Sequence, residues 1–145
     1  MLKGINPRIT PEMLYVMAQM GHGDDLAIVD ANFPAYALAR HLPHDRVLHF
    51  AGRLPGAVQT VLTLLPLDRF VPAAATTMQV VGDPEAVPAP VAEIIPIIEQ
   101  AGSSLQSVER FDFYEMTRSC FAVLQTQEGR LYGNVILKKG VIPVG

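Results

Sequence analysis

Tryptophan is absent from this chain, and cysteine occurs once, at Cys120. A single cysteine excludes an internal disulfide. Charge is sparse as well: 17% of the 145 residues are Asp, Glu, Lys or Arg, and the formal net charge is −3. No block of Lys or Arg is long enough to neutralise many phosphates, so a nucleic-acid partner is not expected. No run approaches the roughly 20 apolar residues of a membrane span, because Pro, Asp or Arg cuts each long apolar stretch. Met1 to Arg8 lacks the apolar core of a secretory signal. Together with the lone cysteine, this places the expected protein in the cytoplasm, away from membranes. Neither a G-x-G-x-x-G nor a Walker pattern occurs, so no phosphate-cradling glycine loop is expected.

What the chain does have is apolar surface. Hydrophobic residues make up 50% of it, and the mean hydropathy is +0.27. A domain of about 150 residues buries only about 70% of what its unfolded chain exposes. Surplus apolar side chains stay outside, where they mark interfaces. The length fits one domain, residues 1–145, and the surplus suggests a homo-oligomer.

Thr10-Pro11-Glu12 reads as a helix start, with a capping hydroxyl, a first-turn proline and an acid at the positive end of the dipole. The helix should stop at Gly21. Asp25 to Asp30 is a short apolar run ending in an acid, the pattern of a buried strand. Val47–Phe50 and Ala74–Val81 read as further strands, Pro34–Arg40 and Ala57–Leu65 as helices, and the proline-rich Asp83–Pro90 as a loop. Val91–Ala101 has a helical pattern that Pro96 should kink or break. Gln106–Arg110 looks extended, and Phe113–Ser119 helical. Phe121–Gln125 and Tyr132–Leu137 read as strands joined through Glu128-Gly129, possible partners in an antiparallel hairpin. This alternation predicts an α/β fold with a mainly parallel sheet.

Several residues are candidates for chemistry. His22 stands between two glycines, after a helix and before a buried strand. Imidazole suits proton transfer near neutral pH; the same segment also fits a helix C-cap followed by a solvated turn. Asp30 closes an apolar strand, where open α/β sheets hold ligands, or it simply forms a turn before Pro34. Arg110, beside Phe111, Phe113 and Tyr114, offers fixed donors next to rings, or forms an ordinary amphipathic edge. Tyr132-Gly133-Asn134 combines a hydroxyl, an amide and an approachable backbone, or only turns the chain into a strand. His41, His44 and His49 match no standard zinc spacing and have no cysteine nearby, so no metal is assigned. Cys120, without an activating neighbour in sequence, reads as a buried structural thiol.

Taken in order, these segments resemble a family. Leu2-Lys3-Gly4-Ile5, Met20-Gly21-His22-Gly23-Asp24, Asp30-Ala31-Asn32-Phe33-Pro34-Ala35, Pro66-Leu67-Asp68, Arg110-Phe111 with Phe113-Tyr114-Glu115, and Tyr132 through Val141 together resemble the RbsD/FucU family of sugar mutarotases and pyranases. The resemblance covers nearly the whole chain and is thin between about Gly82 and Ser107. Gly23 after His22, Phe33-Pro34, Arg110 and Tyr132-Gly133-Asn134 are similar to the fucose branch rather than the ribose branch. Asn32, where that branch often has histidine, and Met116-Thr117, where Arg-Ala is common, depart from it.

The resemblance implies an RbsD-like three-layer α/β/α domain that interconverts anomers of a free monosaccharide, L-fucose above all. D-ribose and a non-catalytic sugar-binding role are the alternatives. It implies His22 as general acid, Asp30 and Arg110 on sugar hydroxyls, and Tyr132 and Asn134 completing the site. Tyr132 is the candidate for taking the anomeric proton, directly or through a water. No cofactor is implied. Assembly as a ring, commonly a decamer, with sites near subunit contacts is.

Overall fold

A computed structural model describes residues 1–145. The chain runs α1 (Pro11–Gln19), β1 (Asp25–Val29), α2 (Ala35–Ala39), β2 (Leu48–His49), α3 (Leu54–Val61), β3 (Ala75–Met78), α4 (Ala89–Gln100), β4 (Leu105–Val108), α5 (Arg110–Thr117), β5 (Ala122–Gln125) and β6 (Val135–Lys138). The strands form one six-stranded sheet in the order β2-β5-β1-β6-β3-β4. β1 pairs in parallel with β5, β5 with β2, and β3 with β4. β6 alone runs against the rest, antiparallel to both β1 and β3. The mainly parallel α/β expectation holds.

Alternation along the central strands divides the core in two. Leu26 and Ile28 of β1, Leu124 of β5 and Leu137 of β6 join Met13 and Val16 of α1, Val58 and Val61 of α3, and Ile94 and Ile98 of α4. Ala27 and Val29, Val123 and Ile136 face the other way, onto Leu38 of α2 and Phe113 of α5. Helices therefore cover both faces, giving three layers. The core strands read as continuous apolar runs because both faces are buried. No helix is long and apolar enough to cross a membrane.

Local signals explain most boundaries. The Thr10 side chain accepts a hydrogen bond from the Met13 N–H at 3.1 Å, and Pro11 opens α1, as the sequence predicts. α4 continues through Pro96. The carbonyl that loses its donor to a proline belongs to residue i−4, here Ala92. Ala92 and Pro96 are both exposed, so water can take over. Two expectations are corrected. Arg110 is not extended but begins α5, because the Glu109 carboxylate accepts from the N–H groups of Phe111 and Asp112 and caps the helix one residue earlier. β5 and β6 are not a hairpin, because β1 lies between them.

The connection from β5 to β6 is held by a buried carboxylate that reads in sequence as part of a turn. The Glu128 side chain is fully buried and accepts from the N–H groups of Leu54 (3.2 Å) and Arg130 (3.1 Å). It also accepts from Arg130 Nε and Nη2, both at 2.9 Å. Arg130 in turn grips Glu93 of α4 with two bonds of 2.7 and 2.9 Å. Hydrogen bonding to the guanidinium holds the Glu128 carboxyl at about 2, against an ordinary value of 4.5. The unfolded chain takes up this proton near 4.5, and the folded chain only near 2. Stability from this group is therefore complete above about pH 4.5 and is lost as pH falls toward 2. Melting curves of the native protein and Glu128→Gln across pH 2–7 test this. The gap between them should be widest near neutrality and should close in acid. A gap that stays constant would contradict the assignment.

Candidate functional site

The sheet has two chemically different ends. β1 leads from one to the other, and β6 leads back. At the carboxyl ends of β1 and β3, Asp30, Asn32, Phe33, Met78, Arg110, Tyr114, Leu131, Tyr132 and Asn134 line a cavity of about 190 Å³. That is below the roughly 300 Å³ at which drug-sized pockets begin, so it suits a compact ligand. Its walls combine hydrogen-bonding groups with Phe33, Met78 and Leu131, matching a molecule with polar and apolar faces.

Each polar group is positioned by the backbone. Asp30 follows the last residue of β1 and is buried. Its Oδ1 accepts from the Asn32 N–H at 3.0 Å, and its own N–H donates to Asn134 Oδ1 at 2.8 Å. Burial holds the Asp30 carboxyl above the usual carboxylate range, against the opposing pull of the donors on its oxygens, the Asn32 N–H first among them. Asn134 is buried immediately before β6, across from Asp30, because β6 pairs antiparallel with β1. Arg110 heads α5; its Nε donates to the Tyr114 hydroxyl at 3.0 Å, and its guanidinium carbon sits 5.4 Å from the Tyr114 ring centre. Tyr132 has φ +61, the one non-glycine residue in the left-handed region. Its hydroxyl accepts from the Val81 N–H at 3.2 Å.

The structure thus brings together Asp30, Arg110, Tyr132 and Asn134, four of the five residues singled out by sequence. His22 is not with them. It precedes β1, whereas Asp30 follows it, and β1 alone spans roughly 15 Å at about 3.3 Å per residue. His22 instead meets Asp68, with Nε2 3.1 Å from Oδ1. Asp68 is buried and also accepts from the Phe70 N–H, which with the His22 contact holds its carboxyl below the usual range. In the sequence, Asp68 stands out only within Pro66-Leu67-Asp68. Its role was visible in no local pattern, because the partner lies 46 residues away.

The far end of β6 fixes this pair. The Gly23 N–H donates to the Lys139 carbonyl and the Lys139 N–H to the Asp24 carbonyl, anchoring the histidine turn. The Asp68 N–H donates to the Lys138 carbonyl, and Gly140 packs so closely that an added Cβ would lie 2.5 Å from the Leu67 carbonyl oxygen. The His22 side chain remains 45% exposed, beside Phe70 at 5.5 Å between ring centres. Apolar residues surround it, among them Leu14, Met17, Leu64, Val141 and Ile142. A carboxylate only accepts, so Nε2 must carry the hydrogen that faces Asp68. No three His, Cys, Asp or Glu side chains gather as metal ligands would; His44 faces Glu12, and His49 faces Tyr36.

The fold and the pocket define a small α/β protein with a compact, partly polar cavity beyond the carboxyl ends of β1 and β3. The chain belongs to the RbsD / FucU transport protein family, whose model matches residues 3–142. It is 43% identical to the fucose mutarotase of Danio rerio, over 98% of this chain and 95% of that one. Among solved structures it is similar to the protein Atu2016, with a TM-score of 0.94, 37% identity, and coverage of 99% and 97% of the two chains. It is also similar to the fucose mutarotase of Streptococcus pneumoniae crystallised with L-fucose, with a TM-score of 0.87, 33% identity, and coverage of 98% and 100%.

Side-chain ¹⁵N spectra check the His22–Asp68 pair. The Nε2–H tautomer should dominate in the native protein, and Asp68→Asn should yield a mixture of tautomers. Identical spectra would show that Asp68 does not set the ring.

Proposed function

We propose that this chain, read as one domain over residues 1–145, is a sugar mutarotase that interconverts the α and β anomers of free L-fucose. The observation that carries the reading is the convergence of Asp30, Arg110, Tyr132 and Asn134 on one small cavity, in a chain 43% identical to a fucose mutarotase over nearly its full length. The chemistry is an isomerisation and needs no net reactant. A proton is delivered to the ring oxygen while one leaves the anomeric hydroxyl, and the C1–ring-oxygen bond breaks. The open-chain aldehyde turns about its C1–C2 bond, and the ring closes on the other face as both protons return. Positioned acid/base groups contribute on the order of 10²–10⁴-fold, enough to outpace a reaction that already proceeds slowly in water.

Asp30, Asn134 and Arg110 would hold hydroxyls, Arg110 with its fixed fork of donors. Phe33, Met78 and Leu131 would receive the apolar edge of a 6-deoxy sugar. Tyr132 would take the anomeric proton, directly or through a water. His22 would give its proton to the ring oxygen, and since it lies at the opposite end of β1, the His22 that serves this pocket must come from a second copy of the chain. The exposed apolar side chains around it (Phe70, Val141 and Ile142) support such a contact. A closed ring in which each copy serves its neighbour, a decamer in the fullest form, satisfies this requirement for all copies at once. We place the protein in the cytoplasm, where a free intracellular sugar would be its substrate.

NMR exchange between α- and β-L-fucose is the test. The native protein should accelerate exchange, and His22→Ala and Tyr132→Phe should each lose on the order of 10²-fold or more. Mixing these two variants in equal amounts should restore about a quarter of native activity under random assembly, because some contacts pair an intact His22 with an intact pocket. Acceleration of D-ribose exchange alone would move the assignment to the ribose branch, and binding without any exchange would make the protein a sugar carrier. No recovery on mixing would place His22 outside the site.

A further inference from the structure

Glu128 touches none of the cavity, yet it is joined to both of its polar walls. Its backbone carbonyl accepts from the Ala31 N–H at 2.9 Å, and Ala31 lies between Asp30 and Asn32. Its side-chain stem packs under Gly133, between Tyr132 and Asn134, so tightly that an added Cβ there would lie 2.7 Å from Glu128 Cγ. Gly133 is thus required by this contact. Its own φ is not in the left-handed region; that of its neighbour Tyr132 is.

A tyrosine in the left-handed region is strained and persists only where the surroundings hold it. The holding is visible. The chain enters the loop through Thr126, whose N–H and hydroxyl both donate to the Val29 carbonyl. Two residues later, the Glu128 carboxylate is saturated by Leu54 and Arg130. Arg130 then spans to Glu93, tying the loop to α4. The loop is clamped on both sides of Glu128 before it reaches Tyr132.

We infer that the buried Glu128–Arg130–Glu93 cluster is a positioning device that holds Tyr132 in its left-handed conformation and aims its hydroxyl into the sugar site. The inference rests on the mutarotase reading for its kinetic consequence, but not for its structural one. Glu128 is a positioning residue: it acts through the Tyr132–Gly133–Asn134 backbone and never meets the ligand. Replacing its carboxylate by an amide turns a donor toward Arg130, which is itself only a donor. The clamp then opens, while the volume stays the same.

The Val81 N–H is a remote reporter, because it donates to the Tyr132 hydroxyl and does not contact Glu128 through any hydrogen bond. In Glu128→Gln, the amide signals of Val81, Tyr132 and Gly133 should shift, and those of Gly21 and Gly23 at the other end of the sheet should stay in place. In anomer exchange, kcat should fall about tenfold or more while KM changes less than about threefold, since the reacting group moves while Asp30, just past β1, and Arg110, on α5, stay in place. Ile98→Val, on the buried face of α4 and more than a turn from Glu93, serves as a control of reduced stability and should leave both kcat and the Val81 signal unchanged. Should Glu128→Gln fail to fold, Arg130→Lys, which loses the planar fork but keeps the charge, carries the same expectations. An unmoved Val81 signal in a folded variant, or a kcat loss no larger than that of the control, would overturn the inference. A native protein without mutarotase activity would refute the proposed function, and the amide shifts would still decide whether the clamp aims Tyr132.

Discussion

β6 satisfies two strands that both run opposite to it, and the arrangement of the molecule follows from that constraint. A parallel sheet alone would gather its chemistry at the carboxyl ends of its strands. Inserting one antiparallel strand between β1 and β3 carries the chain from that end to the other within four residues, Val135–Lys138. Its start supplies Tyr132 and Asn134 to the cavity. Its end supplies Lys138, Lys139 and Gly140, on whose backbone the turns bearing His22 and Asp68 are fastened. The strand is apolar on both faces, and its register with β1 and β3 cannot slip without exchanging the two halves of the core.

Polar chemistry inside this fold is satisfied with little surplus. Asp30 is desolvated but receives backbone donors; Asp68 receives the Phe70 N–H and His22; Glu128 receives the N–H groups of Leu54 and Arg130 and the Arg130 guanidinium. Each buried carboxylate is thereby answered, and their different partners push them apart: Asp30 upward, Asp68 and Glu128 downward. Burial pushes the Cys120 thiol up, so that it stays protonated and inert in the α2/α5 layer. The division of roles among chemically similar groups comes from environment rather than residue type.

Sequence reading recovered what is locally encoded. The apolar runs marked β1, β3, β5 and β6, Thr10 and Pro11 marked α1, and the ordered motifs placed four site residues that do converge. What it missed was long-range. Arg110 reads as extended because a glutamate is an unusual cap, and only the geometry shows Glu109 filling that position. Two strands close in sequence suggest a hairpin, because nothing local records that β1 occupies the space between them. Glu128-Gly129 has the composition of a solvated turn, and the burial of Glu128 depends on its partners Arg130 and the Leu54 N–H. His22 and Asp30 are eight positions apart in sequence, yet a strand separates them, and a strand is rigid enough to prevent both from facing one ligand.

The placement of His22 at the start of β1 has a consequence for how such a protein behaves on dilution. In the proposed reaction the proton donor and the binding cavity lie at opposite poles of each chain, so a solitary copy would carry both halves of a machine and could operate neither on itself. Turnover per chain would then depend on concentration, falling as subunits separate and recovering as they reassociate, with no change in the fold of any one of them. Substitutions on the apolar rim, far from any sugar, would weaken the reaction as surely as changes within the cavity.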